Sequence, residues 1–224
     1  MSVQCEQAIG RRSSSLVLAV AAGTLFLGIG TGAWAIDVKL SSDEAKKSLE
    51  AGRVPMEKAA SPEDVKKVLQ QASVATRVGA DPEKDPCGAS AILRTKRFRL
   101  EAFGRQEAAE SKKQKKDVRM PEEFIQKVID MPNMEVEVQL CGDDEYFAEK
   151  ADVVFQQKGK NIKPIDVSPA ERGRKNEGQG PGYRARFTAR FGYDTFDPNA
   201  NTTIVVTLQD GQEIKIDADF SKVK

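Results

Sequence analysis

The sequence predicts an α+β protein that is mainly β: an antiparallel β-sandwich of immunoglobulin-like size, with a short helical N-terminal extension after a signal peptide. Three observations lead to this fold class. Apolar and polar residues alternate over residues 134–140 and over residues 185–193, as in strands with one buried face. Helical spacing and helix caps are concentrated between residues 41 and 80. An open sheet covered by helices is the alternative.

Residues 11–35 have the three-part pattern of an export signal. Two arginines precede an uncharged apolar run over residues 16–29, and an Ala-x-Ala cleavage motif ends at Ala35. We therefore predict that residues 1–35 are a cleaved signal peptide, so that the mature protein is periplasmic or secreted and keeps no stable transmembrane anchor. An uncleaved anchor is the alternative, which the short apolar run disfavours.

The composition limits the classes of function. The chain has 35 basic and 34 acidic residues, and its nearly neutral charge predicts no nucleic-acid partner. It contains no histidine, which excludes Ser-His-Asp and Cys-His catalytic groups and the common zinc sites that use histidine. We therefore predict no catalytic residue, no metal site and no cofactor.

Three cysteines occur in the chain, and Cys5 would leave with the signal peptide. Cys87 and Cys141 remain, and two cysteines in an oxidising compartment most simply form a disulfide. Such a bond would stabilise the protein by about 4 kcal/mol through the loop that it closes. Two unpaired buried thiols are the alternative.

Two helices are predicted in the N-terminal extension, residues 36–80. Ser41 and Glu44 form the pattern of a capping box for the first helix, and Gly52 predicts its end. Ser61, followed by proline, predicts the start of the second helix. Both helices are short and lightly apolar, so they either dock on the main body or form a mobile arm.

Residues 81–224 are predicted to form a disulfide-stapled antiparallel β domain with one inserted helix near residues 121–130. Alternation over residues 97–102 predicts a strand. The charged residues 107–116 form either a solvated helix or an irregular loop. Pro121, followed by two glutamates, predicts the start of the inserted helix.

The register of the last two strands can be predicted from their aliphatic residues. A two-residue turn would place the aliphatic side chains of the two strands on opposite faces of the hairpin. A three-residue loop over residues 209–211 pairs Val206 with Ile214 instead, so that the large aliphatic residues share one face. Gly211 would then take the left-handed backbone position that the turn requires.

Two acidic patterns resemble cation-binding sequences. Asp143, Asp144 and Glu145 are consecutive, and Asp197-x-Asn199-x-Asn201 has the first ligand spacing of a calcium loop. The second pattern lacks the glycine and the final glutamate that such a loop requires. Because both patterns are also ordinary turn sequences, we predict solvated turns.

Basic residues supply the candidate binding surface. Its members are arginines on the predicted outer faces of strands: Arg97, Arg99, Arg184, Arg186 and Arg190. Together they could contact an anionic glycan or a lipid headgroup. The alternative is that carboxylates on neighbouring strands, such as Glu135 and Glu137, neutralise them. Residues 168–182, rich in glycine, are predicted to form a long exposed loop and a further contact.

These observations favour an exported, non-enzymatic protein that binds or scaffolds an envelope component, either a protein or an anionic glycan or lipid headgroup. One alternative is a histidine-free hydrolase of envelope polysaccharide that uses carboxylates such as Asp143, Asp194 or Asp197. Two of these would have to converge within about 5 to 10 Å. Another alternative is an assembly subunit that contributes an exposed edge strand.

Overall fold

The computed structural model describes residues 36–176 and 180–223. The predicted signal peptide and its cleavage site lie outside these residues. The helices are α1 (Ser42–Lys58), α2 (Pro62–Val74), α3 (Lys96–Gln114), α4 (Glu122–Ile129) and a 3-10 turn (Phe220–Lys222). The strands are β1 (Arg77–Gly79), β2 (Ser90–Arg94), β3 (Asn133–Gly142), β4 (Asp152–Gln157), β5 (Lys160–Ile162), β6 (Asp166–Val167), β7 (Arg174–Lys175), β8 (Tyr183–Gly192), β9 (Asn201–Thr207) and β10 (Glu213–Asp219).

The strands form two sheets in which every pair is antiparallel. The larger sheet has the order β1-β2-β3-β8-β6, and β7 also pairs with β8. The smaller sheet has the order β10-β9-β4-β5. The predicted α+β, mainly β class is therefore confirmed. In the described part of the chain, no helix has both the length and the apolar character needed to cross a bilayer.

Side chains from both sheets meet in one hydrophobic core. Phe155 of β4 stacks on Phe191 of β8 with ring centroids 3.6 Å apart. Phe196 and Phe220 meet the Phe155 ring edge-on. Such aromatic pairs contribute about 0.5–1.5 kcal/mol each beyond the burial of their area. These side chains thus join the two sheets by packing.

The hairpin of β9 and β10 has the predicted register. Val206 lies opposite Ile214, and Leu208 N donates a hydrogen bond to Gln212 O at 2.9 Å. Gly211 has φ +87°, which is the left-handed conformation that glycine adopts without a steric penalty. The requirement that the large aliphatic residues share a face therefore identifies the turn correctly.

The strand predicted over residues 97–102 is wrong, because these residues belong to α3. Thr95 caps the helix, and its side-chain oxygen accepts a hydrogen bond from the backbone N–H three residues later at 3.1 Å. Leu100, Gly104 and Ala108 then recur at helical spacing and are buried. The alternation of apolar and charged residues over residues 97–102 is short. The buried stripe at four-residue spacing is longer and favours the helix.

Two helices are therefore inserted between β2 and β3. α4 occupies the position of the helix predicted near residues 121–130, with Ile125 and Val128 buried. α3 is the second helix, and it includes most of residues 107–116, for which a helix was one of two alternatives. The prediction of a single inserted helix is corrected to two.

α1 and α3 approach each other closely at two glycines. A Cβ atom at Gly52 would lie 1.9 Å from the carbonyl oxygen of Glu101. A Cβ atom at Gly104 would lie 1.9 Å from the carbonyl oxygen of Leu49. The prediction that Gly52 ends the helix is wrong, because α1 continues to Lys58. The absence of a side chain at Gly52 allows α1 to approach α3 closely. α1 therefore docks on α3 and is not a free arm.

A buried ion cluster joins the same two helices. The side chains of Arg53 and Glu107 are 5% and 4% exposed, and Arg53 Nη1 lies 3.3 Å from Glu107 Oε2. Arg53 also contacts Asp117 at 2.5 Å and Glu57 at 2.6 Å. Glu107 accepts a hydrogen bond from Met120 N at 2.6 Å. Both buried charges are compensated by these partners. Removal of one partner therefore leaves a buried charge that is incompletely compensated, which destabilises the fold.

α2 differs from α1, because none of its residues is buried. Its predicted start is confirmed: Ser61 accepts a hydrogen bond from Asp64 N at 3.1 Å, and Asp64 accepts one from Ser61 N. Leu69 and Val74 are 50% and 59% exposed. Capping residues therefore determine where α2 begins, while packing on the rest of the protein contributes little to it.

The glycine contact predicts the sign of a stability change. In an unhindered helix, Gly→Ala stabilises by about 1 kcal/mol. Gly104→Ala is instead expected to lower the free energy of unfolding by at least about 1–3 kcal/mol, because the new methyl group meets the Leu49 carbonyl. Urea denaturation measures the change. Gly182→Ala is the control, since its nearest neighbouring atom would lie 4.0 Å away. A stabilised Gly104→Ala variant would contradict the packing.

The ion cluster predicts a pH dependence. Hydrogen bonds from Arg119 and Arg53 hold the pKa of Asp117 below its ordinary value. The stability that Asp117 contributes is therefore present above pH 3.8 and is lost as the pH falls through its lower folded pKa. Asp117→Asn should lower the free energy of unfolding at pH 7, and its difference from the wild type should shrink below about pH 4. Urea denaturation between pH 2 and 7 measures it; a constant difference refutes it.

Candidate functional site

The predicted disulfide is present between Cys87 and Cys141. Cys141 belongs to β3 but alternates with the buried Leu140, so it lies on the outer face of the larger sheet. The β8 residue that lies opposite Cys141 in the strand pairing is Arg184. The bond therefore fastens the loop before β2 to the sheet face that carries the β8 arginines.

The predicted basic surface is divided between two elements. Arg184, Arg186 and Arg190 alternate with buried residues along β8, as predicted, and lie on its outer face. Arg97 and Arg99 are on α3, so their predicted position on a strand is wrong. Arg97 binds Asp37 at 2.6 Å. Three of the five predicted residues therefore share one strand.

Carboxylates neutralise the arginines at one end of this outer face. Arg190 lies 3.2 Å from Asp166 of β6. Glu135 of β3 contacts Arg99 and also lies 3.6 Å from Arg94. At this end the predicted alternative, neutralisation by carboxylates on neighbouring strands, describes the structure.

The opposite end of the face keeps its positive charge in a basic groove of about 250 Å³. The groove is lined by four cationic side chains, one carboxylate and one amide: Arg174, Lys175, Arg184, Arg186, Glu171 and Asn176. Glu171 lies 3.6 Å from Arg174, and Glu137 lies 4.0 Å from Arg186. Within the described residues, Arg184 Nε is buried and has no hydrogen-bond partner. Cationic donors thus exceed carboxylates in the groove.

A further arginine adds to the positive charge beside the groove. Arg77 of β1 donates a hydrogen bond to Ser90 at 2.8 Å. Its pKa is lowered, first by burial and second by the positive charge of Arg186. The carboxylates of Glu137 and Asp81 oppose this shift, so the repulsion between the two arginines is partly compensated within the protein.

Residues 168–182, predicted as a long exposed loop, run along the edge of β8 that does not pair with β3. Ser168 N donates to Thr188 O at 2.8 Å, and Glu171 N donates to Arg186 O at 2.9 Å. Short strands β6 and β7 pair with the same edge. Residues 177–179 lie outside the described residues. This segment supplies Arg174 and Lys175 to the groove, two residues that the sequence analysis did not select.

Two of the carboxylates considered for a hydrolase, Asp143 and Asp194, lie far apart. Asp143 follows the end of β3 that pairs with the start of β8, whereas Asp194 follows the other end of β8. Strands of ten residues separate these ends by about 30 Å. Asp197 lies in the turn after β8 and binds Lys158 at 2.9 Å.

The acidic patterns lie in turns. Asp197 Oδ1 accepts a hydrogen bond from Asn199 N at 3.0 Å, and Asp144 Oδ1 accepts one from Tyr146 N at 2.8 Å. Asp143 and Asp144 line an open groove near the β9–β10 turn. Across residues 36–176 and 180–223, no group of three or more cysteine, aspartate or glutamate side chains is placed to hold a metal ion.

Among the carboxylates on this face, we expect Glu137 to contribute more to stability than the exposed Glu171. Its side chain is 14% exposed, and it contacts both Arg94 and Arg186. Glu137→Gln is expected to lower the free energy of unfolding by about 1–3 kcal/mol, because two arginines lose a shielded partner. Glu171→Gln is the control: its side chain is 62% exposed, and a loss below about 1 kcal/mol is expected. Equal losses in urea denaturation would contradict this distinction.

The candidate site is defined by its geometry alone, because comparisons with known proteins add no residue to it. No protein-family model matches the chain, and no curated protein gives a significant match.

Proposed function

We propose that this chain is an exported, non-enzymatic binding or scaffolding module of the cell envelope, and that the basic groove is its ligand contact. The ligand class is an anionic group carried by an envelope glycan or a lipid headgroup. The observation that carries the proposal is the excess of cationic side chains over carboxylates in the groove. The same sheet face is neutralised only a few residues away, so this excess is local.

The donors of the groove suit an oxyanion. Arg174 and Arg184 lie opposite each other on paired strands, and Arg186 follows two residues along the same face. Neighbouring strands are about 4.8 Å apart, and alternate residues of a strand are about 6.8 Å apart. Guanidinium groups at these spacings can each offer two parallel donors to a carboxylate, sulfate or phosphate group.

Export is proposed from two independent features. Residues 11–35 have the pattern of a signal peptide, and Cys87 is bonded to Cys141. Disulfides persist in oxidising compartments and are rare in the cytosol of most organisms. Together these features support a periplasmic or secreted location for the mature protein.

The proposed architecture is a β-sandwich in which the two sheets face each other across the common core. The stacked pair Phe155–Phe191, which joins the smaller sheet to the larger one, supports it. In this arrangement the outer face of the larger sheet points away from the core. A rigid sheet would then hold the groove residues in place without help from the ligand.

Substitution of groove arginines tests the proposed function. The probes are heparin, as an anionic glycan, and vesicles of phosphatidylglycerol mixed with phosphatidylcholine. Arg184→Gln combined with Arg186→Gln is expected to weaken binding of the true ligand class at least tenfold, because two charge-assisted contacts are lost. Calorimetry and vesicle sedimentation measure the affinity, and the preferred probe distinguishes glycan from lipid.

A matched control separates the groove from general charge. Arg190→Gln removes one positive charge from the same strand, where Asp166 already neutralises it, and should change the affinity less than twofold. Wild-type protein that binds neither probe at 50 mM salt would contradict the proposed function. Equal weakening by Arg190→Gln and by Arg184→Gln would contradict the assignment of the groove.

A further inference from the structure

We infer that the Cys87–Cys141 disulfide is a positioning element of the basic groove, and that breaking it weakens anion binding there. The inference rests on the proposed function, because it concerns how that same groove is held. Two groove residues, Asn176 and Arg184, make direct hydrogen bonds to the cross-linked segment.

The first contact is to a sulfur atom of the disulfide. Asn176 Nδ2 donates a hydrogen bond to Cys87 Sγ at 3.0 Å. The backbone N–H of Asn176 also donates to Gly182 O at 2.8 Å, at the start of β8. Asn176 directly follows Arg174 and Lys175, so the contact with the sulfur fixes the end of the segment that carries both cations.

The second contact orients an arginine. Arg184 Nη2 donates a hydrogen bond to Pro86 O at 2.9 Å, and Pro86 is the residue before Cys87. Cys141 is the β3 residue opposite Arg184. The disulfide therefore brings the Pro86 carbonyl to the Arg184 guanidinium, where it accepts a hydrogen bond from Nη2 and orients the group.

The segment before β2 has no other described hydrogen bond to this face. Its backbone hydrogen bonds are local: Lys84 and Asp85 donate to Asp81, Gly88 donates to Asp85, and Ala80 donates to Ala89 where the segment joins β1 to β2. Reduction by a dithiol breaks the S–S bond, adds two electrons and two protons to form two thiols, and oxidises the dithiol to a disulfide. Pro86 and Cys87 are then free to leave Arg184 and Asn176, which must be ordered again when a ligand binds.

The test measures the affinity of full-length mature protein for heparin and for phosphatidylglycerol vesicles. Oxidised wild type, Cys87→Ser combined with Cys141→Ser, and Asn176→Ala are compared, with Arg190→Gln as the control. The double serine variant is expected to bind about tenfold more weakly than oxidised wild type, and Asn176→Ala to show a smaller loss. Treatment of the wild type with dithiothreitol should reproduce the loss, and reoxidation should restore the affinity.

The outcomes separate the two proposals. Full affinity in the folded double serine variant overturns the positioning role and leaves the proposed function standing. Absence of binding by oxidised wild type overturns the proposed function itself. If circular dichroism shows that the double variant is unfolded, Asn176→Ala decides, because it keeps the disulfide: full affinity in that variant overturns the positioning role.

Discussion

The antiparallel pairing of β3 with β8 is the constraint on which both the core and the candidate site depend. Ten residue pairs fix the register, and side chains alternate along each strand. Phe187 therefore enters the core while Arg184 and Arg186 face outward. A slip by one residue would exchange the two faces of the strand and bury the arginines. Burial of the apolar residues therefore fixes the outward position of the arginines.

The outer face of the larger sheet is neutralised around Arg190 and keeps an excess of cationic side chains around Arg184. Glu135 contacts Arg94 and Arg99, while Glu137 contacts Arg94 and lies 4.0 Å from Arg186 of the groove. Around Arg184, the neighbours on the paired strands are Cys141 of the disulfide and Arg174 of β7 instead of carboxylates. Positive charge that is left unpaired costs stability, and its retention in one place is what distinguishes the basic groove from an ordinary charged sheet face.

Predictions from the sequence are confirmed where one pattern allows a single solution. The alternation in β3 and β8, the shared aliphatic face of the last hairpin and the pairing of Cys87 with Cys141 are local or nearly unique choices. The first part of α3 was predicted as a strand because six alternating residues fit one, whereas the helix also packs against Gly52, a residue distant in sequence. Arg174 lies in a segment that was predicted as a contact but was not singled out itself, because the segment has no alternation and only pairing with β8 brings it beside Arg184.

The separation of charge along β8 has a consequence for how a ligand would arrive. A face that is neutral around Arg190 and cationic around Arg184 has an electrostatic gradient parallel to the strand. An extended polyanion approaching within about one Debye length, roughly 8 Å at physiological ionic strength, would experience a torque as well as an attraction. It would be drawn toward the Arg184 end of the strand before any contact forms, so the asymmetry selects where on the face docking begins.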